Sequence, residues 1–201
     1  MIEVHGITRQ AFLVRGTVAA GTVYGLGAVS PFVRQALAQE GGGDVEVLNF
    51  ALTLEYLEAA FYTQALKETR GLSGEAKEIA TTLRDNETEH VDALTAAIKG
   101  AGGTPVKAPG VDFGQAFASQ DAFLKLAQTF EDLGVSAYNG AATQIQSPEV
   151  LASAGAIVQV EARHAAAIRA LRGEDITPGA FDEALEKDKV LEAAKPFIKA
   201  A

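Results

Sequence analysis

Four stretches of this sequence repeat apolar residues at the three- and four-residue spacing of amphipathic α-helices. Three of them end near a glycine, at Gly71, Gly100 and Gly173, and Gly100 is expected as the residue just past its helix. Ser147 and Pro148 form a cap and a first-turn residue for the last stretch. The predicted helices are 44–69, 73–99, a third from Ser119 or Asp121 to about 146, and 148–173.

The connections between these helices indicate how they pack. Two are short, whereas residues 101–118 form a long loop rich in glycine and proline that can cross a bundle from end to end. This connectivity, with two short connections and one long one, predicts an all-α four-helix bundle over residues 44–172 with one long crossover. Residues 173–201 follow as a tail of one or two short helices packed outside, because Pro178 and Pro196 limit helix length.

Composition and charge exclude several classes of function. The 201 residues contain no Cys, which excludes disulfides, thiolate metal sites and cysteine nucleophiles. Aromatic residues make up only 7%, which suits helices that pack through small side chains. The formal net charge of −9 has the wrong sign for neutralising phosphates, so we expect no nucleic-acid partner.

Residues 1–38 have the order of features found in export signals. A segment containing Arg9 precedes an apolar run rich in Gly and Ala over 16–33, and residues 36–38 offer a small-x-small cleavage site. The segment resembles a twin-arginine leader, except that Gln10 replaces the second arginine. We expect export to the periplasm, cell envelope or exterior. The alternatives are a retained N-terminal helix or membrane anchor, with membrane contact only through this segment, and an ordinary first helix of the fold.

Each predicted helix carries one carboxylate on its apolar face. The core-facing positions, helix by helix, are Leu48, Leu52, Glu55, Ala59, Tyr62, Leu66; Ala76, Ile79, Leu83, Glu87, His90, Leu94; Leu124, Ala127, Glu131, Val135, Tyr138, Ile145; and Leu151, Ala154, Glu161, His164, Ile168, Leu171. The second and fourth helices therefore add a histidine three residues after the glutamate.

Four buried carboxylates need compensating positive charge, since unpaired burial costs many kcal/mol or forces proton uptake. No Lys or Arg lies on these faces; Arg84 and Arg163 fall beside them. Two divalent cations balance four glutamates if both histidines are neutral, and carboxylate and imidazole ligands suit iron, manganese or zinc. The sequence thus predicts a two-metal site formed by Glu55, Glu87, His90, Glu131, Glu161 and His164.

The two halves of the bundle repeat one another. Glu55 precedes Tyr62 by seven residues, and Glu131 precedes Tyr138 by the same interval. A solvated charge pattern seldom produces matching inward acids of this kind, so the repeat indicates a duplicated helix pair.

These residues resemble a known group. The segment LNFALTLEYLEAAFY at 48–62, with Glu-Thr-Glu-His at 87–90 and Glu-Ala-Arg-His at 161–164, is similar to the ferritin-like superfamily, and to its exported, desiccation-related branch in particular. The resemblance covers about residues 44–172 and implies a di-iron or di-manganese centre. It implies that Glu87 and Glu161 bridge the two metals. It also implies that Glu55 with His90 are the terminal ligands of one metal, and that Glu131 with His164 are those of the other. Tyr62 and Tyr138 would each form a hydrogen bond to the opposite half of the site.

Plainer interpretations remain for these residues. The glutamates could lie on an exposed face, the histidines could be ordinary core residues, and Tyr62 and Tyr138 could serve packing alone. Glu58 lies one turn from Glu55 and could replace it as a ligand. Otherwise we expect Glu58 to face solvent or another subunit.

The leading functional hypothesis is a carboxylate protein with two divalent metal ions, iron in preference to manganese, that reacts with O2 or H2O2. Its activity would be ferroxidase-like or protective against oxidative stress. The alternative is a structural or self-assembling envelope protein, with possible homo-oligomers, whose metal site only stabilises the bundle. Nothing in the tail points to a storage shell of many subunits.

Overall fold

Five α-helices dominate the described residues, which run from 43 to 199 in this computed structural model. They are α1 (Asp44–Glu68), α2 (Gly74–Gly100), α3 (Gln120–Ala141), α4 (Pro148–Arg172) and α5 (Lys187–Ala194), with single 3-10 turns at Ala142–Gln144 and Lys195–Phe197. Between residues 43 and 199 there is no β-strand, and no helix is long and apolar enough to cross a membrane. The all-α prediction is confirmed, while the predicted leader, 1–38, lies outside the described residues.

Serine caps start three of the bundle helices. The hydroxyls of Ser73, Ser119 and Ser147 each accept a hydrogen bond from the backbone N–H three residues further on. Ser119, rather than Asp121, is therefore the residue that caps α3. Gly173 ends α4 in the left-handed conformation, with φ of 69°.

Two predicted helix ends are wrong. Gly100 lies inside α2, and Gly102 is the residue that takes a positive φ, of 76°. Helix α3 ends at Ala141 and not near residue 146. The carboxylate of Asp44 accepts the backbone N–H groups of Gln146 (2.7 Å) and Ser147 (2.9 Å). These contacts attach the connection between α3 and α4 to the start of α1.

Helix α1 packs most extensively against α2, and α3 against α4, as expected for two helix hairpins. Apolar clusters fill the interior on both sides of the glutamates. One is rich in phenylalanine and includes Phe61, Phe113, Phe117, Phe123 and Phe130. The other contains Leu48, Leu52, Leu94, Ile98, Tyr138 and Ile157. The polar side chains between them are therefore shielded from water.

Two features of the core differ from the predicted faces. Helix α1 buries Phe50, Leu54, Leu57 and Phe61 as well as most of its predicted face, of which Ala59 and Leu66 are only partly buried, because the crossover and the tail cover a second side of it. Leu151, by contrast, is 43% exposed, and Val150 and Ala154 are the residues of the first turns of α4 that pack against the second apolar cluster.

The tail packs on the outside of the bundle. Its helix, α5, contacts α3 and buries Val190 and Ala194. Before α5, the backbone N–H of Leu185 donates to the carbonyl of Ser136 at 3.0 Å. After it, Val111 of the crossover forms an isolated antiparallel bridge with Ile198.

Candidate metal centre

All six residues predicted as ligands meet inside the bundle. Their helical register brings them there, because each glutamate follows the apolar face of its own helix toward the common axis. The four glutamates are completely buried, and His90 and His164 are 8% and 4% exposed. The interpretation of these glutamates as an exposed helix face is therefore wrong.

The donor atoms fall into two overlapping groups. Glu55, Glu87, His90 and Glu161 each offer one atom within 4.8 Å of the others, and Glu87, Glu131, Glu161 and His164 do the same. Glu87 and Glu161 belong to both groups. The arrangement thus has two shared carboxylates and, at each end, one further glutamate with one histidine.

The imidazole nitrogens lie close to several carboxylate oxygens at once. His164 Nδ1 is 2.8 Å from Glu87 Oε1 and 3.3 Å from Glu131 Oε2. His90 Nδ1 is 3.0 Å from Glu87 Oε2, 3.2 Å from Glu55 Oε2 and 3.1 Å from Glu161 Oε1. Metal–ligand bonds of about 2.1 Å place neighbouring ligand atoms about 3 Å apart, so these spacings fit atoms that converge on a cation.

Several of these buried atoms lie close to one another but form no hydrogen bond of acceptable geometry. In the described part of the chain they are Glu87 Oε1, Glu131 Oε2, both oxygens of Glu161, and His164 Nδ1. Buried polar atoms in native proteins are normally satisfied, so this concentration of unsatisfied oxygens and nitrogen requires an explanation. No Lys or Arg of residues 43–199 forms an ion pair with the six side chains. Oxygen and nitrogen donors of this kind fit a pair of divalent metal ions.

Two tyrosines connect the halves of the site. Tyr62 of α1 donates its hydroxyl to Glu131 of α3, and Tyr138 of α3 donates to Glu55 of α1. Tyr62 is completely buried and Tyr138 is 6% exposed. Glu55 and Glu131 are thereby each held by a tyrosine from the other half of the bundle. The hydrogen bond limits the rotation of the carboxylate.

Asn86 is a residue that the sequence pattern did not reveal. Its side-chain amide is hydrogen-bonded to His164 Nε2 at 2.9 Å, on the side of the ring away from the carboxylates. A partner at this nitrogen fixes the orientation of the imidazole and directs Nδ1 into the site. Asn86 is a partly buried position beside Glu87, and nothing in its spacing distinguishes it from other polar residues of α2.

The pKa values of the site residues show that the buried carboxylates need positive charge or bound protons nearby. Burial raises the pKa of Glu55 to about 7 and also raises the pKa of Glu161. Burial opposes ionisation of Glu87 too, but the imidazoles of His164 and His90 outweigh it and lower its pKa to about 2. Burial disfavours charged imidazoles, yet the surrounding carboxylates raise the pKa of His90 to about 12 and that of His164 to about 10. Without a metal, the site therefore retains protons at neutral pH.

Glu58 corrects one of the sequence expectations. It is 3% exposed and lies beside the site, so the expectation that it faces solvent or another subunit is wrong. It belongs to neither donor group, and Glu55 keeps its own place in the first group. Burial, followed by the charges of Glu161 and Glu87, raises its pKa well above the usual range.

Fold and site together define a class of protein: a helical bundle with a buried carboxylate and histidine site contributed by all four long helices. The family model for the ferritin-like domain matches residues 43–174, which is most of the described chain. The chain therefore belongs to the ferritin-like domain family. A search of curated proteins finds no match to this sequence.

Proposed function

We propose that this chain is a di-metal carboxylate protein that reacts with O2 or H2O2, and that it uses iron in preference to manganese. The observation that carries the proposal is the pair of overlapping, buried donor groups with Glu87 and Glu161 in common. A pair of redox-active ions bound close together can supply two electrons to a small oxidant. The reaction would be ferroxidase-like or would remove peroxide.

Some residues of the site would bind the metal ions, and others would orient the residues that bind them. Glu87 and Glu161 would hold both ions, because they are the carboxylates common to the two groups. Glu55 with His90, and Glu131 with His164, would bind at the two ends. Tyr62 and Tyr138 would keep the terminal carboxylates in place through their hydrogen bonds. The apolar clusters on both sides exclude bulk water.

An opening beside the two histidines supports reaction with a small molecule. A cavity of about 400 Å³ lies between α2 and α4, and His90 and His164 form part of its wall. Asn86, Arg163 and Ala167 also line it. O2 and H2O2 are small enough to use such an opening, whereas a bulky substrate would reach only the outer edges of the imidazoles.

The first test is elemental analysis of protein purified without added metal, followed by oxidation of the iron form. Metal-free protein loaded anaerobically with Fe(II) should consume O2 and develop ferric absorption. The manganese form is tested by gas evolution from H2O2. Glu161→Gln should abolish these reactions, and Glu78→Gln, an exposed acid on α2, is the matched control. If wild-type protein takes up no metal, or if neither metal form reacts, the redox proposal fails.

A second candidate function is a metal site that only stabilises the protein. It is supported by the fact that the site joins one side chain or more from each of α1, α2, α3 and α4. Metal should then raise the melting temperature strongly without oxidant turnover. The two candidates are separated by measuring both properties on the same preparation.

We also propose that the protein is exported and belongs with the desiccation-related branch of the family. Support comes from the export-like order of residues 1–38, with Arg9, an apolar run and Ala36-Leu37-Ala38. Sequencing the N-terminus of the native protein tests this. A start at Gln39 supports removal of a leader, whereas an intact Met1 excludes it.

A further inference from the structure

The second apolar cluster leaves a cavity at its end of the bundle, where α1 and α4 begin and α2 and α3 end. This end cavity has a volume of about 480 Å³ and is lined by side chains of all four long helices. Native interiors are close-packed and contain few voids larger than a water molecule. A space of this size falls instead within the range of small-molecule pockets, which measure about 300 to 1,000 Å³.

Small side chains create the end cavity. The alanines that line it come from all four long helices and are Ala51, Ala97, Ala137, Ala141 and Ala154, among others. The opposite end of the bundle is filled by the phenylalanine cluster instead. Apolar side chains that border an empty space lose van der Waals contacts on that side, so an occupant that restores those contacts would stabilise this end of the bundle.

The end cavity opens to solvent and reaches the bundle interior. Its lining includes the exposed residues Gly100 and Ser153 and the buried residues Tyr138 and Ile157. The hydroxyl of Tyr138 donates to Glu55, so this tyrosine lies between the cavity and the metal centre. None of the six predicted ligands lines the cavity. The end cavity is therefore a second site, distinct from the metal centre.

The charged residues at the end cavity are acidic. Asp44 and Glu149 line it, and no lysine, arginine or histidine of residues 43–199 does. A hydrogen bond from the Ser147 hydroxyl lowers the pKa of Glu149, which is therefore ionised at neutral pH. A ligand with a carboxylate or phosphate group would meet like charges here, whereas a positively charged group would be attracted.

Apolar walls and acidic charged residues together specify the ligand. We propose that the end cavity binds an amphiphile with one aliphatic chain and a positively charged head group. The chain contacts the alanine-rich walls and points toward Tyr138, while the head group stays beside Asp44 and Glu149. A dry apolar cavity of roughly 150 Å³ can hold a six-carbon ring, so the end cavity has room for a chain of about ten carbons. This inference does not depend on the proposed function, because no metal takes part in it.

The test compares three probes that share a chain and differ in head-group charge. Decylammonium, decanol and decanoate are titrated into the full-length, metal-free protein by isothermal calorimetry at pH 7. We expect decylammonium to bind at least about tenfold more tightly than decanoate, with decanol between them. Glu149→Gln should reduce the difference between decylammonium and decanoate by about threefold. Glu78→Gln, an exposed acid that does not line the cavity, is the matched control and should leave the difference unchanged.

Filling the end cavity separates binding inside it from binding to the acidic surface. Ala154→Phe on α4 and Ala97→Phe on α2 each place a ring in the cavity, from different helices. We expect each variant to weaken decylammonium binding by about tenfold or more, because the ring occupies the space of the chain. Ala156→Phe, at an exposed position of α4 outside the cavity lining, should bind as wild type does. An unchanged circular dichroism spectrum establishes that a variant is folded.

Several results would overturn the proposal. They are equal affinity for the three probes, unchanged decylammonium binding in the filled variants, and no binding of any probe to the wild-type protein. Sedimentation velocity covers one further case: self-association of the wild-type chain that Ala154→Phe prevents would show that a second copy covers the cavity, which overturns the proposal as well. All of these results leave the proposed function intact, since its tests measure metal content and reaction with oxidants.

Discussion

The hydroxyl of Tyr62 donates a hydrogen bond to Glu131, a carboxylate that belongs to the opposite half of the bundle. Tyr138 and Glu55 form the reciprocal bond. The two bonds follow the internal repeat, in which each tyrosine stands seven residues after the glutamate of its own helix. They join α1 to α3 across the site, in addition to the ring contacts that Phe61 of α1 makes with Phe123 and Phe130 of α3.

Loss of the Tyr62 hydroxyl should weaken the metal site. In Tyr62→Phe the ring still packs, but Glu131 loses its donor and becomes freer to rotate. We expect metal affinity to fall by about 10- to 100-fold with little change in the fold. Competition with a chelator of known affinity measures it. Tyr56→Phe, at a partly buried position on the same helix, is the control and should bind metal as wild type does. Equal affinity in all three proteins would show that Tyr62 serves packing alone.

Neutralising one shared carboxylate should stabilise the metal-free protein. Glu161 is completely buried, and among the described residues neither of its oxygens forms a hydrogen bond of acceptable geometry, although Oε1 lies 3.1 Å from His90 Nδ1. An amide of the same shape is neutral without taking up a proton, as buried Glu161 must, and it can donate to neighbouring carboxylates. We expect Glu161→Gln to raise the free energy of unfolding, measured by urea denaturation with a chelator present, by about 1–3 kcal/mol. A lower value than wild type would contradict the idea that the site is strained without metal.

Stability and metal affinity should depend on pH in opposite directions. In the metal-free fold, Glu55 and His164 have pKa values raised to about 7 and about 10, above their unfolded values of roughly 4.3 and 6.5. The folded protein therefore holds protons that the unfolded chain has released, and its stability falls as pH rises from about 4.5 toward 10. The lowered pKa of Glu87 has the opposite effect, but only between about 2 and 4.5.

Metal binding must displace those protons, so affinity should rise over the same range. Calorimetry in two buffers with different ionisation enthalpies would measure proton release directly. Thermal melts near pH 6 and pH 8.5, with and without metal, would test the stability. A metal-free protein that is more stable at the higher pH would contradict the prediction.

The attachment of the tail depends on Gly140. A Cβ there would lie 1.8 Å from the backbone oxygen of Leu185, so Gly140→Ala must displace the segment before α5. We expect a loss of about 1–3 kcal/mol in unfolding free energy and faster proteolysis within residues 174–199. Gly155→Ala on α4 is the matched control, because nothing lies within 4 Å of its added methyl group. That substitution should stabilise the helix by up to about 1 kcal/mol.

Closing the cavity between α2 and α4 should lower the rate of reaction with the oxidant and leave the metal content unchanged. Ala167 lines this cavity, and Ala167→Phe would narrow it next to the histidines. We expect normal metal content but a rate of reaction with H2O2 reduced by about tenfold, read by stopped-flow absorption. Ala156→Phe, at an exposed position on α4, is the control and should react at the wild-type rate. An unchanged rate in Ala167→Phe would show that the oxidant enters elsewhere.

The ligand residues could be found from sequence because their evidence is periodic. An acid at a core position, as at Glu55 or Glu131, stands out against the apolar residues one turn away on either side. The helix starts were also predictable at Ser73 and Ser147, since capping acts within a single turn. By contrast, the connection after α3 is bound to Asp44, about a hundred residues away, and a local pattern carries no information about such a contact.

What the sequence alone determined was the helical register: four helices, a common interior face and six donor side chains on it. The register of a helix follows from the local spacing of its apolar residues, so it can be predicted from the order of residues alone. Only the tertiary structure decided that Asn86 orients His164 and that Glu58 is buried beside the ligand glutamates. Those relations depend on how closely two distant helices approach, which packing sets and spacing along the chain does not record.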